Sequence, residues 1–249
     1  MNNPLDKLLS LEETASYICT KLKESGIDVV LSGGSCMEIY TNKNFSSYDI
    51  DFIANPSYTS KKIESVMFSM GFKKVDGRYY KYENNPNYVE FPTGPVSLGN
   101  EFPKKFGELK TLVGTLVLLT PTDCIKDRLC AYIYHGGEEC LQQAIAVAHL
   151  NQIDINNLQN WAKNESKEMD LAVNDMLDDL NFIVLENDTN KTKEYLEKRA
   201  KNLYLNINDE YDRETLKNDL FNDYVLRVML DIKNDKEYFQ KMKEYLNNF

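Results

Sequence analysis

The sequence predicts an α/β fold of the α+β kind, a small mixed sheet over residues 1–118 followed by an all-helical domain over 119–249. Three observations carry this. Helix and strand patterns alternate three times before a run of strands, which describes a small sheet with mixed strand directions. After Thr120-Pro121 glycine nearly vanishes, while Leu, Ile, Tyr and Phe recur at helical spacing. Charge divides at the same place: residues 1–118 carry 13 Lys/Arg against 14 Asp/Glu, a net of −1, and residues 119–249 carry 16 against 25, a net of −9.

The elements follow in order. Ser10-x-x-Glu13 is a capping box opening a helix with Leu11, Ala15, Ile18 and Leu22 on one face, closed by Gly26. Ile27–Ser32 is a short strand running into Gly33-Gly34-Ser35, with Cys36–Tyr40 turning helical directly afterwards. Tyr48–Ile53 is the second strand, stopped by Asn55-Pro56. Tyr58–Met70 is a helix closed by Gly71. Strands are expected at Phe72–Val75, Arg78–Tyr82 across an Asp76-Gly77 turn, Tyr88–Phe91 and Leu109–Leu118. Thr120 caps and Pro121 starts the first helix of the second half. Helices are expected over Pro121–His135, Glu138–Leu150, Ile155–Asn164, Met169–Glu186, Lys191–Asn206, Glu214–Ile232 and Lys236–Asn248.

Composition narrows the functional classes. With 249 residues, 42% of them hydrophobic, the chain can bury a real core. Its longest uncharged apolar run, near Leu112–Leu119, has strand length, so no membrane partner is expected. The start Met1-Asn2-Asn3-Pro4 lacks a secretion signal, and a cytoplasmic protein is expected. Five cysteines without a C-x-x-C pair read as buried apolar groups, and two histidines are too few for a zinc site. The net charge of −10 leaves no broadly basic surface. A nucleic acid would dock on the first half, where Lys73, Lys74, Arg78 and Lys81 cluster; the plainer reading is a solvated hairpin.

The chemistry concentrates in two short segments. In Tyr48-Asp49-Ile50-Asp51-Phe52 side chains alternate, so Asp49 and Asp51 share one face. Adjacent carboxylates repel, and a divalent cation removes that cost; hard oxygen ligands suit Mg²⁺. Gly33-Gly34 lets a backbone approach phosphate oxygens, and the following helix N-terminus aims amides at them. Ser35 can add a hydroxyl or cap the helix. Glu90, between Val89 and Phe91, is the candidate third metal ligand.

A Gly-Gly-Ser turn followed by Asp-x-Asp resembles the signature of the polymerase-β-like nucleotidyltransferase superfamily. Thirteen residues separate Ser35 from Asp49, at the long end of that pattern. Leu119–Leu129 resembles the helix after the catalytic sheet in AbiEii-type nucleotidyltransferases, the toxin halves of abortive-infection toxin–antitoxin pairs. The likeness covers residues 10–165. It implies that Gly33, Gly34 and Ser35 hold a nucleoside triphosphate, that Asp49, Asp51 and Glu90 hold Mg²⁺, and that a basic residue on the later helix, Lys126 or Arg128, contacts phosphate. These two flank the expected apolar stripe on opposite sides, and spacing leaves open which of them faces the site. The general base is also left open. The implied acceptor is a hydroxyl on a tRNA end, a protein side chain or an aminoglycoside. The competing expectation is a protein that keeps the fold without turnover and docks a partner, such as a cognate antitoxin, through its acidic helical half.

Overall fold

Helix α1 (Leu11–Glu24) begins as its capping box dictates. In the computed structural model, which describes residues 4–7, 9–182, 196–201, 203–218 and 246, the Glu13 amide donates to the Ser10 hydroxyl at 3.2 Å. The Ser10 amide donates back to the Glu13 carboxylate at 3.0 Å. Two otherwise unpartnered amides of the first turn are thus satisfied together. The same helix buries Leu11, Ala15, Ile18 and Leu22, the stripe read from the sequence.

Seven strands form one mixed sheet: β1 (Val29–Ser32), β2 (Asp49–Ala54), β3 (Lys73–Val75), β4 (Tyr79–Lys81), β5 (Tyr88–Glu90), β6 (Gly107–Lys110) and β7 (Thr115–Leu118). They lie in the order β3-β4-β5-β2-β1-β7-β6. β1 runs parallel to β7 and β2 parallel to β5, and the other neighbours are antiparallel. Between the strands lie α2 (Gly33–Tyr40) and α3 (Ser60–Ser69).

The expected single strand Leu109–Leu118 is instead a hairpin of β6 and β7. The chain reverses between Thr111 and Gly114, whose backbones bond at 2.9 Å. The turn is seated on α1: a Cβ at Gly114 would stand 2.6 Å from the Ser16 carbonyl. An apolar run of this length conceals a turn whose one local marker is that glycine.

Strand alternation gives the sheet two unlike faces. One carries Leu31, Ile50, Phe52, Tyr80 and Val89, all buried. Phe68 of α3 meets Tyr80 edge-on at 6.5 Å, and α3 touches α1, so these helices cover the apolar face. Asp49, Asp51 and Glu90 belong to the other.

The chain divides into two compact units, Met1–Trp161 and Ala162–Phe249. Strands give way to helices at Thr120-Pro121, but the first unit continues because α4 (Pro121–His135) and α5 (Glu139–Leu150) pack on each other and on α2. The Asp123 amide donates to the Thr120 hydroxyl at 3.2 Å to cap α4, and Gly136 ends it at φ 70°. Helix α6 (Ile155–Glu165) crosses the division. Within the second unit, α7 (Lys167–Phe182) buries Met169, Val173 and Met176, and residues 196–201 and 210–218 are helical. Of the other expected helices, Lys191–Asn206 and Glu214–Ile232 lie partly, and Lys236–Asn248 almost wholly, outside the described residues. No helix among the described residues is long and apolar enough to cross a membrane.

Candidate active site

Gly33 fixes the geometry. It opens α2 at φ 67°, a conformation that costs other L-residues of order 1–3 kcal/mol. A Cβ there would also collide with the Asp51 carboxylate. The glycine turn and the acidic strand are therefore stacked in direct contact. A Cβ at Gly34 would stand 2.9 Å from the Ser47 hydroxyl, so both glycines are closely approached. Helix α2 begins at Gly33 rather than Cys36, which places both glycines in its first turn.

The thirteen-residue spacer is held by hydrogen bonds. Asn42 and Lys43 both adopt positive φ after α2, and the buried Glu38 carboxylate accepts the Ser47 amide at 2.6 Å. Ser47 in turn donates its hydroxyl to the Asp49 carbonyl at 3.0 Å. These bonds pin the entry to β2.

Register then gathers the carboxylates. Asp51 pairs with Ser32 of β1 on one side and Glu90 of β5 on the other, and Asp49 lies two residues away on the same face. Burial pushes the Asp51 carboxyl up to about 7, and the charges of Glu90 and Asp49 push it the same way. Arg128 counters them only in part. A carboxyl so perturbed by burial and like charge makes this strand face a candidate functional site. The donors, three carboxylates, suit Mg²⁺. As the side chains stand, no three His, Cys, Asp or Glu among the described residues are gathered closely enough to hold a metal ion. Glu90 is engaged elsewhere: its Oε1 lies 3.3 Å from Nε of Arg78.

The two basic residues of α4 separate clearly. Arg128 donates to Asp127 at 2.6 and 3.1 Å and to Gln143 of α5 at 3.4 Å, and its charge reaches Asp51. Burial pulls the Arg128 guanidinium down, and Asp127 more than offsets this. Lys126 does not flank the apolar stripe as expected. It is wholly buried, paired with Glu101 at 3.0 Å and Asp123 at 3.4 Å, and lies 5.7 Å from the centre of the Trp161 ring. Trp161 donates to the Leu98 carbonyl at 2.9 Å, so this cluster ties α4 to the Leu98–Glu101 turn. Of the two cations, Arg128 is the one whose charge is felt at Asp51, while its hydrogen bonds go to Asp127 and Gln143.

Ser35 also departs from its expected place. It is fully buried, donates to the Ser32 carbonyl at 3.2 Å and accepts the Asp51 amide at 3.4 Å. Its hydroxyl joins β1, α2 and β2 instead of lying open to a phosphate. Cys36 behind it is buried too, its thiol pushed well up by burial and by neighbouring Cys124. Sequence reasoning overlooked Arg78 as a partner of Glu90. Its signal was the Asp76-Gly77 turn, which places Arg78 at the head of β4 beside β5. Compared with protein-family models, with curated proteins and with solved structures, the chain matches none.

Proposed function

We propose that the protein is a Mg²⁺-dependent nucleotidyltransferase that moves a nucleoside monophosphate from an NTP to a hydroxyl on RNA, such as a tRNA end, or on a protein. The carrying observation is the stacking of the Gly33 turn against Asp51, with Asp49 and Glu90 on the same sheet face. In this reading the first-turn amides of α2 bind the triphosphate, and Arg128, held by Asp127 and Gln143, offsets charge that builds on phosphate. The acceptor oxygen attacks the α-phosphorus, the bond to the β-phosphate oxygen breaks, and pyrophosphate leaves. Asp49, Asp51 and Glu90 would hold the metal, which when bound supplies charge neutralisation and a more acidic acceptor hydroxyl. The resemblance further suggests a growth-arresting toxin of a toxin–antitoxin pair acting in the cytoplasm.

The test is incubation with labelled NTPs, Mg²⁺ and total RNA or cell lysate. Wild type is expected to label a macromolecule, and Asp49→Asn and Asp51→Asn are not. One observation favours a second reading, a binding protein without turnover: Glu90 is held by Arg78, and no three-ligand cluster is formed among the described residues. NTP binding without label on any acceptor, with all four NTPs, would select it.

A further inference from the structure

The face that carries the carboxylates does not end at them. Register extends it across three more strands in two rows. Asp49 pairs with Tyr88, Tyr88 with Lys81, and Lys81 with Lys73. In the second row Asp51 pairs with Glu90, the same register places Tyr79 opposite Glu90, and Tyr79 pairs with Val75. Apart from Val75, what lies beyond the carboxylates is aromatic or cationic.

These groups are joined to one another and accessible. The Tyr79 and Tyr88 rings meet edge-on at 6.0 Å, and Lys81 lies 4.1 Å from the centre of the Tyr88 ring. Arg78 stands 4.8 Å from the Tyr79 ring centre while its Nε faces Glu90. Tyr88 is 40% exposed, and the side chains of Lys73 and Arg78 are 77% and 67% exposed. Cations interleave with accessible rings on this strand face; Lys73 also faces the exposed Glu83 at 3.8 Å, and Lys81 donates to the Pro86 carbonyl at 2.5 Å.

We propose that this face of β3, β4 and β5 binds a single-stranded polynucleotide. Bases stack on Tyr79 and Tyr88, the backbone phosphates pair with Lys73, Arg78 and Lys81, and the strand end is led to the Asp49–Asp51–Glu90 row. Rings recognise unpaired bases through their π-faces, and spaced cations recognise the phosphates between them. A duplex hides its base faces, and an acidic peptide offers no bases, so neither uses the tyrosines. The inference deepens the transfer reading by naming its acceptor class, and rests on that reading for the role of the bound strand.

The experiment separates the two. Fluorescence anisotropy of a short labelled oligouridylate is followed with the full chain in EDTA, without NTP, so binding is read independently of transfer. Wild type is expected to bind, with log K falling against log salt at a slope near −2, about −0.7 for each of three phosphates. Tyr79→Ala and Tyr88→Ala are each expected to weaken binding at least about fivefold. Lys73→Ala with Arg78→Ala, which keeps the rings and changes only exposed groups, is expected to bring the slope to about −0.7. Absence of binding at low salt overturns the proposal. So does equal competition by duplex RNA or polyglutamate, or unchanged affinity in the tyrosine variants with an unchanged slope in the cation variant. Labelled transfer to a protein by an enzyme that fails to bind the oligonucleotide would sink this inference and leave the transferase reading standing.

Discussion

Replacing Gly33 with alanine tests the contact on which the site depends. The cost has two separable parts. Holding alanine at φ 67° costs about 1–2 kcal/mol. Forcing a methyl group into the Asp51 carboxylate adds an overpacking cost of about 1–3 kcal/mol. The total, about 2–5 kcal/mol, corresponds to a fall in Tm of roughly 4–20 °C for a unit of this size. Gly77→Ala is the matched control: Gly77 has φ 76°, yet a Cβ there meets nothing within 4 Å, so only the backbone part applies. Thermal melts of both variants isolate the contact with Asp51. A double-mutant cycle completes the argument, because Asp51→Ala removes the atoms in the way and should recover about 1–3 kcal/mol in the Gly33→Ala background. If Gly33→Ala melts where Gly77→Ala does, the turn is not stacked on the acidic strand and the phosphate-cradle reasoning fails.

Asp51 also predicts a pH dependence. Its carboxyl binds a proton more tightly in the folded chain, at about 7, than at the unfolded value of 3.8. The stability this contributes is present in acid and is lost as pH rises from about 4 through 7, by about 4 kcal/mol at most. Asp51→Asn should therefore be more stable than wild type at pH 8 and similar to it near pH 4, and a wild type that gains stability across that range contradicts the burial. Millimolar Mg²⁺ should raise the wild-type Tm at pH 8 and leave Asp51→Asn nearly unmoved; equal shifts would place the ion elsewhere. Lys126→Ala strands Glu101 and Asp123 and should destabilise by about 3–5 kcal/mol in urea melts while leaving NTP affinity intact, whereas Arg128→Met strands Asp127 and should weaken NTP affinity as well as folding. Trp161→Phe removes one of two donors to the Leu98 carbonyl, leaving the Glu101 amide at 3.3 Å, and should cost about 0.5–1.5 kcal/mol in the same melts.

Local chemistry made much of this protein legible in its sequence. The Ser10/Glu13 capping box, the Thr120-Pro121 start of α4 and its end at Gly136 depend on groups within a few residues of each other, and each helix end follows. Strand alternation put Asp49 and Asp51 on one face for the same reason. Local pattern could not supply the partners that lie far along the chain. Lys126 and Arg128 are two residues apart on one helix, yet one pairs with Glu101 and the other donates to Gln143. That choice belongs to the Leu98–Glu101 turn and to Gln143, which are distant in the chain. Ser35 was drawn into the β1–α2–β2 junction by the pairing of β1 with β2, and Glu90 met Arg78 through the pairing of β4 with β5, for which the Asp76-Gly77 turn was the one local sign. Sequence determined which residues share a strand face and where helices begin, because covalent spacing sets faces and caps. Tertiary structure decided which of them meet, because burial and register match charges across elements far apart along the chain.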